Sequence, residues 1–209
     1  MIKDEEKQSS RLSRREFMKL GGLAATVPMV VGPTVLTVAG EDVAVYGPGV
    51  APVSFMVNGK PVHIEVEPRV TLLDALREKL DLTGAKRVCD RGTCGSCTVL
   101  LDGKPIYACS VLAIDAQGKQ ITTIEGISTE QELTALQKAI VENDGQQCGF
   151  CTPGFVVSAT AMFAKHKAPT DEDIRRHMSG NLCRCGTYHG LRSAFHQMAG
   201  GSNASGKGA

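Results

Sequence analysis

Eight cysteines carry most of the chemical potential of this 209-residue chain, and they are unevenly spaced. Cys89, Cys94, Cys97 and Cys109 form a close quartet, Cys148 and Cys151 a pair, and Cys183 and Cys185 another. An even count in an exported chain would ordinarily suggest a disulfide framework, but such clustering suits metal ligation instead. The quartet reads Cys89-x4-Cys94-x2-Cys97-x11-Cys109, which is the plant-type 2Fe-2S spacing. Two irons bridged by two sulfides need four thiolates around them, with backbone N–H groups turned towards the sulfurs to spread their negative charge. Gly92 and Gly95 permit that close approach. A zinc site would more usually pair two Cys-x2-Cys knuckles.

The second set is Cys148-x2-Cys151-x31-Cys183-x-Cys185, within Gln147-Cys148-Gly149-Phe150-Cys151-Thr152-Pro153-Gly154 and Asn181-Leu182-Cys183-Arg184-Cys185-Gly186. By spacing alone, two close pairs fit a zinc site or two disulfides as well as a cluster. The Cys-x-Cys step favours a cluster, since one intervening residue lets both thiolates of a tight turn face one metal centre. Each pair also starts or precedes a helix, whose N-terminal N–H groups favour an anion.

These cysteines need a frame. Residues 53–57 and 62–66 alternate on either side of Asn58-Gly59-Lys60-Pro61, a β-hairpin signal. Thr71 and Asp74 predict a capped helix with Leu72, Leu73, Leu76 and Leu80 on its apolar face, ending near Gly84. Asp102-Gly103 marks a second hairpin, and residues 121–124 supply a further strand. A small mixed sheet crossed by one helix therefore spans 53–126. Beyond Gly126 the pattern is helical. Thr129 and Glu132 predict a helix start with Leu133, Leu136 and Ile140 facing inward. A second helix starts after Thr152 with Pro153 at its first position and buries Phe155, Val156, Ala159, Met162 and Phe163. Thr170 and Asp173 open a third with Ile174 and Met178, and Tyr188, Leu191, Phe195 and Met198 share a face of a fourth. Residues 127–199 read as a compact four-helix unit, and the fold class is α+β.

The first forty residues read as an address. Ser13-Arg14-Arg15-Glu16-Phe17-Met18-Lys19 precedes an uncharged stretch from Leu20 to Gly40 that holds Pro28, Pro33 and four glycines. This has the form of a twin-arginine export signal cleaved near Ala39 or Gly40, and it is too broken and too weakly apolar for an anchor. The twin-arginine translocase moves folded, cofactor-loaded proteins, so the expected location is the periplasm. Cysteines already holding metal would not become disulfides there. Residues 41–52, with Gly47, Pro48, Gly49 and Pro52, read as a linker, and 200–209 as a disordered tail.

Composition narrows the function. A net charge of +1 and 4% aromatic residues without Trp argue against a nucleic-acid surface or stacking platform. The sequence contains no nucleophile–base pair, no glycine-rich phosphate loop and no flavin fingerprint. His63, His166, His177, His189 and His196 are isolated and read as surface or core side chains rather than ligands.

The ordered combination of the quartet, the 147–154 motif and the 181–186 motif resembles the small iron-sulfur subunit of the molybdenum hydroxylases, the xanthine oxidase and aldehyde oxidoreductase family. The resemblance covers residues 53–199 and all eight cysteines. With the export signal it is most similar to the periplasmic aldehyde oxidoreductase type, with the isoquinoline oxidoreductase type as a near neighbour. The resemblance implies a β-grasp ferredoxin domain at 53–126 and a four-helix bundle at 127–199, each with one 2Fe-2S cluster. It implies that Cys148, Cys151, Cys183 and Cys185 ligate a cluster proximal to the molybdopterin cofactor, and that Cys89, Cys94, Cys97 and Cys109 ligate a distal one. Gln147 and Cys185 would touch the pterin, held by a large partner subunit. Electrons would leave for an FAD-binding subunit or a cytochrome. After the last motif, Thr187-Tyr188-His189-Gly190-Leu191 departs from the family's usual Pro-Arg following Tyr. An N-heterocycle hydroxylase subunit, a free-standing exported ferredoxin and a zinc-stabilised interaction module are the rival readings.

Overall fold

The computed structural model describes residues 34–38, 41–128 and 132–200, with side chains from residue 45 onward. The twin-arginine motif at 13–19, Thr129 and the tail from 201 lie outside the described residues. The chain divides after Gly47 into two units.

In the first unit, β1 (Thr34–Val38) pairs antiparallel with β2 (Glu41–Val45), Thr34 lying opposite Val45 and Val38 opposite Glu41. The expected linker over 41–52 is thereby corrected. Its first five residues are strand, its last two begin the next strand, and irregular backbone is confined to 46–50. Its prolines and glycines outweighed the alternating Val43-Ala44-Val45, where β-branched residues favour a strand.

The second unit opens with a five-stranded mixed sheet. Its strands are β3 (Ala51–Val57), β4 (Lys60–Val66), β5 (Thr98–Leu101), β6 (Lys104–Tyr107) and β7 (Gln120–Thr122), in the order β4-β3-β7-β5-β6. Only the β3–β7 pair is parallel. Along β3 the alternation sends Ala51, Val53, Phe55 and Val57 into the core. Asn58 and Gly59 at φ 50° and 78°, and Asp102 and Gly103 at 49° and 76°, make two-residue left-handed turns that match the strand twist. The first turn is two residues shorter than expected, so Lys60 and Pro61 belong to β4. Pro61 and Pro105 are tolerated because β4 and β6 are the sheet's edges.

Thr71 caps α1 (Leu72–Asp74) by accepting the Asp74 N–H at 3.1 Å, and the helix continues as a wider π turn over Ala75–Lys79. Leu72, Leu73 and Leu76 are fully buried against the sheet, each contributing about 2 kcal/mol of apolar burial. The helix ends earlier than expected, because Asp81 takes a left-handed conformation (φ 55°) and the Leu82 N–H closes onto the Leu76 carbonyl.

The helical half holds α2 (Ala135–Glu142), α3 (Thr152–Lys165), α4 (Asp171–Met178) and α5 (Tyr188–Met198). The first of these starts later than expected. Thr134 and Gln137 form the complete capping box, while Leu133 lies outside the helix and is 47% exposed. Leu136 and Ile140 face inward. The central helix is α3, which starts at Thr152, one residue before the expected Pro153, and buries Phe155, Val156, Ala159 and Met162, with Phe163 partly covered. Thr170 and Asp173 box α4, whose Ile174 and Met178 are buried. On α5, Leu191 and Phe195 are buried and Met198 is half-buried, whereas Tyr188 is largely exposed and stands edge-on to Phe155. Among the described residues no helix is long and apolar enough to cross a membrane.

Candidate functional site: two groups of cysteines

The approach to the first group is held from α1. Arg77 donates to the carbonyls of Thr83 and Ala85, both at 2.8 Å, and Arg87 bridges Asp74 and Glu78. The loop from 89 to 97 then makes three left-handed turns, at Asp90, Gly92 and Gly95. These aim successive N–H groups at sulfur. Arg91 and Thr93 donate to Cys89 Sγ at 3.5 and 3.4 Å, and Gly92 donates to Cys109 Sγ at 3.3 Å. The Thr93 hydroxyl, joined by these backbone donors, holds the Cys89 thiol down to about 6. Burial pushes Cys97, only 2% exposed, up to about 12.

The second group straddles the start of α3 and the turn before α5. Gly149 is left-handed, and the Phe150 N–H, with Cys185 beside it, lowers the Cys148 thiol. Burial raises Cys151 to about 12. Burial would also raise Cys183, but the Thr187 hydroxyl at 3.2 Å and nearby backbone N–H groups bring it down to about 7. The Cys183 N–H donates to the Tyr188 hydroxyl at 2.8 Å. Cys148 and Cys185 are exposed, as is Gln147, while Cys183 is buried and Cys151 half-buried.

All eight cysteines are free thiols in this structure. Side-chain contacts join Cys89 to Cys94, Cys97 to Cys109, Cys148 to Cys185 and Cys151 to Cys183, and within each group the charges of Cys94 and Cys97, and of Cys148 and Cys183, also interact. Among the described residues no three His, Cys, Asp or Glu side chains converge as a single ion requires. A zinc site gathers four ligands about one point. A 2Fe-2S centre gives two thiolates to each of two separated irons, and the paired thiols with inward N–H groups fit that demand.

The comparisons agree. The sequence model described as "2Fe-2S iron-sulfur cluster binding domain" matches residues 55–123, and that described as "2Fe-2S binding domain" matches 123–196. The aldehyde oxidoreductase iron-sulfur-binding subunit PaoA of Escherichia coli (strain K12) is 40% identical over 204 residues, covering 90% of this chain and 89% of its own. A probable xanthine dehydrogenase subunit of Bacillus subtilis (strain 168) is 44% identical, covering 72% of this chain and 88% of its own. Among solved structures, quinoline 2-oxidoreductase of Pseudomonas putida 86 aligns with a TM-score of 0.68 and 45% identity, over 70% of this chain and 90% of that one. The chain belongs to the iron-sulfur subunits of the molybdenum hydroxylases.

This molybdenum hydroxylase subunit is thus part of an oxidoreductase, with two 2Fe-2S binding domains. Its two cysteine groups are joined by a seam that spacing does not reveal. The Leu182 N–H donates to the Cys94 carbonyl at 2.9 Å, the Tyr107 hydroxyl donates to the Gly180 carbonyl at 2.9 Å, and Lys86 lies over the Phe150 ring. Asn181, inside the second motif, is 4% exposed and belongs to this seam, yet sequence reasoning assigned it no role. The signal available was a polar residue of a helix-flanking loop lying within two positions of a cysteine. Of the histidines, His63 bonds Ser54, His166 and His177 lie edge-on to one another, and His196 meets Asp171.

Proposed function

We propose that this chain is the electron-relay subunit of a periplasmic, molybdopterin-dependent aldehyde oxidoreductase. Cys89, Cys94, Cys97 and Cys109 would hold one 2Fe-2S cluster and Cys148, Cys151, Cys183 and Cys185 the other. Each cluster, when bound, takes up and releases one electron at a time. The chain's own work is to space the two sites, to keep water from the inner thiols, and to present the outer ones. The observation that carries the reading is the bond from the Leu182 N–H to the Cys94 carbonyl. It links the residue preceding Cys183 directly to a cysteine of the other group, leaving a short continuous path between the sites.

The exposed end, formed by Gln147, Cys148 and Cys185 with Phe150 and Leu182 around it, is the face we assign to the molybdopterin-binding large subunit. An apolar rim about half-exposed polar and sulfur groups suits a covered interface. Electrons would leave by the first group towards an FAD-binding subunit or a cytochrome. The fold reading that accompanies this is a β-grasp ferredoxin domain over 53–126 and a four-helix bundle over 127–199. The aldehyde class is favoured over N-heterocycles because the similarity to the Escherichia coli subunit reaches across 90% of this chain, where that to the Bacillus subtilis protein spans 72%. The extra span reaches into the segment that carries the twin arginines, which supports export to the periplasm.

The test is purification of the tagged chain from its host with metal and sulfide analysis of what elutes. The expected result is four irons and four acid-labile sulfides per chain, a co-eluting molybdopterin subunit and aldehyde-dependent reduction of the iron. Zinc without labile sulfide, or a loaded chain eluting alone, would overturn the relay reading.

A further inference from the structure

Asn181 is a buried amide with every polar atom engaged. Its Nδ2 donates to the Gly95 carbonyl at 3.0 Å and lies 3.4 Å from the Thr98 hydroxyl, and its Oδ1 accepts from the Ser158 hydroxyl at 2.9 Å. Asn181 and its partners belong to three cysteine-bearing segments. Gly95 lies between Cys94 and Cys97, Ser158 is on the helix that begins beside Cys151, and Asn181 itself stands two residues before Cys183. The seam around it is tight. A Cβ on Gly95 would lie 2.5 Å from the Gly180 carbonyl and 2.6 Å from Asn181 Nδ2, and one on Gly154 would lie 2.3 Å from the Gly95 carbonyl.

Burying an amide in such a seam costs free energy unless all its bonds are made. An apolar side chain of like volume would fill the space without that requirement, but it would not fix direction. The amide instead sets the position of one loop relative to two others through bonds of defined geometry.

Resting on the relay reading above, the geometry points to Asn181 as the positioning residue that fixes the separation and mutual orientation of the two cluster sites. It touches neither cluster. It acts by tying the Gly95 turn to α3 and to the loop entering Cys183, so that the Leu182-to-Cys94 bond stays in register.

A structural residue of no positional consequence would change stability and leave intercluster geometry alone, so the readout must be geometric. Reduced 2Fe-2S centres are paramagnetic, and two near one another split each other's electron paramagnetic resonance lines with a steep dependence on distance. The full chain is loaded with both clusters, reduced with dithionite and measured at low temperature as wild type, Asn181→Leu and Gly154→Ala. The glycine variant presses on the same turn from α3, its Cβ falling 2.3 Å from the Gly95 carbonyl and 3.0 Å from Asn181 Nδ2, and so disturbs the seam while keeping the amide itself.

Both variants are expected to keep four irons per chain and the g-values of each cluster, and to lose the wild-type splitting. Splitting unchanged in both variants, with two interacting clusters in the wild type, overturns this inference alone. Loss of one cluster's iron in Asn181→Leu while Gly154→Ala keeps both the iron and the splitting also overturns it, since Asn181 would then serve assembly. A wild-type chain that holds a single cluster overturns the relay reading and this inference together.

Discussion

At Gly92 a single hydrogen atom in place of a side chain decides whether a sulfur finds its donor. The residue sits at φ 66°, and a Cβ there would lie 2.5 Å from the Ser110 hydroxyl, which itself lies 3.6 Å from Cys109 Sγ. Gly92→Ala should therefore combine about 1–2 kcal/mol of left-handed strain with a local clash, and draw the N–H away from Cys109. Urea unfolding of the loaded chain should show a lowered midpoint, and iron analysis a partial loss from the first group. Adding Ser110→Gly relieves the clash and leaves the strain, so the double variant should recover iron more than stability. Full stability in the single variant would contradict the backbone argument. Cys148→Ser is a sharper change, because it removes one of the two thiolates that the Cys148–Cys185 pair brings together. It should leave two irons of four and no turnover, while the partner subunit keeps part of its molybdenum. Turnover at the wild-type rate would contradict the proposed relay.

At the scale of elements, the short helix α4 is held by charges at its N-terminus. Asp173 completes the capping box with Thr170, and Asp171 bonds Arg192 and His196 of α5. Both carboxyls are held below the usual range, Asp173 by the Thr170 hydroxyl and N–H, Asp171 by the Arg192 guanidinium. A carboxylate whose pKa falls on folding contributes stability that is fully present above the unfolded value, here 3.8, and is lost as the pH drops through the folded value. Asp173→Asn should lower the thermal midpoint at neutral pH, and the gap from wild type should close well below pH 3.8. A gap that persists in acid would mean that the charge is not what Asp173 supplies. Helix starts of this kind were legible in the sequence because a cap is a local code of four residues. Thr71 and Thr170 stand where the structure puts them, and Pro153 lies one residue past the start of α3. The first helix of the second half was misplaced because two such codes lie close together, and Gln137 answers Thr134. Helix ends were less legible. Asp takes the left-handed conformation more readily than most residues, yet the type of Asp81 alone does not say that the helix closes there, and the packing of Leu82 beneath it settles the choice.

At the scale of the whole molecule the cysteine groups were legible as groups, because ligation requires neighbours in sequence, while the seam between them was not. Asn181 and Gly95 lie 86 residues apart, and no periodicity or spacing records that they meet. That seam bears on the proposed export route. The Leu182 N–H bonds the Cys94 carbonyl and Asn181 ties the Gly95 turn to α3, so the two groups belong to one folded body. Threading the chain unfolded through a membrane would present eight thiols to an oxidising compartment before any metal could claim them. Export as a finished, loaded body avoids this, and Arg14 and Arg15 are the residues expected to specify that route. Replacing both by Lys keeps the charge and removes the paired guanidinium groups. The loaded chain should then accumulate in the cytoplasm with its four irons, and aldehyde oxidation should vanish from the periplasmic fraction. Undiminished periplasmic activity in that variant would reject the export assignment while leaving the cysteine chemistry untouched, since the metal content of the cytoplasmic protein is measured separately.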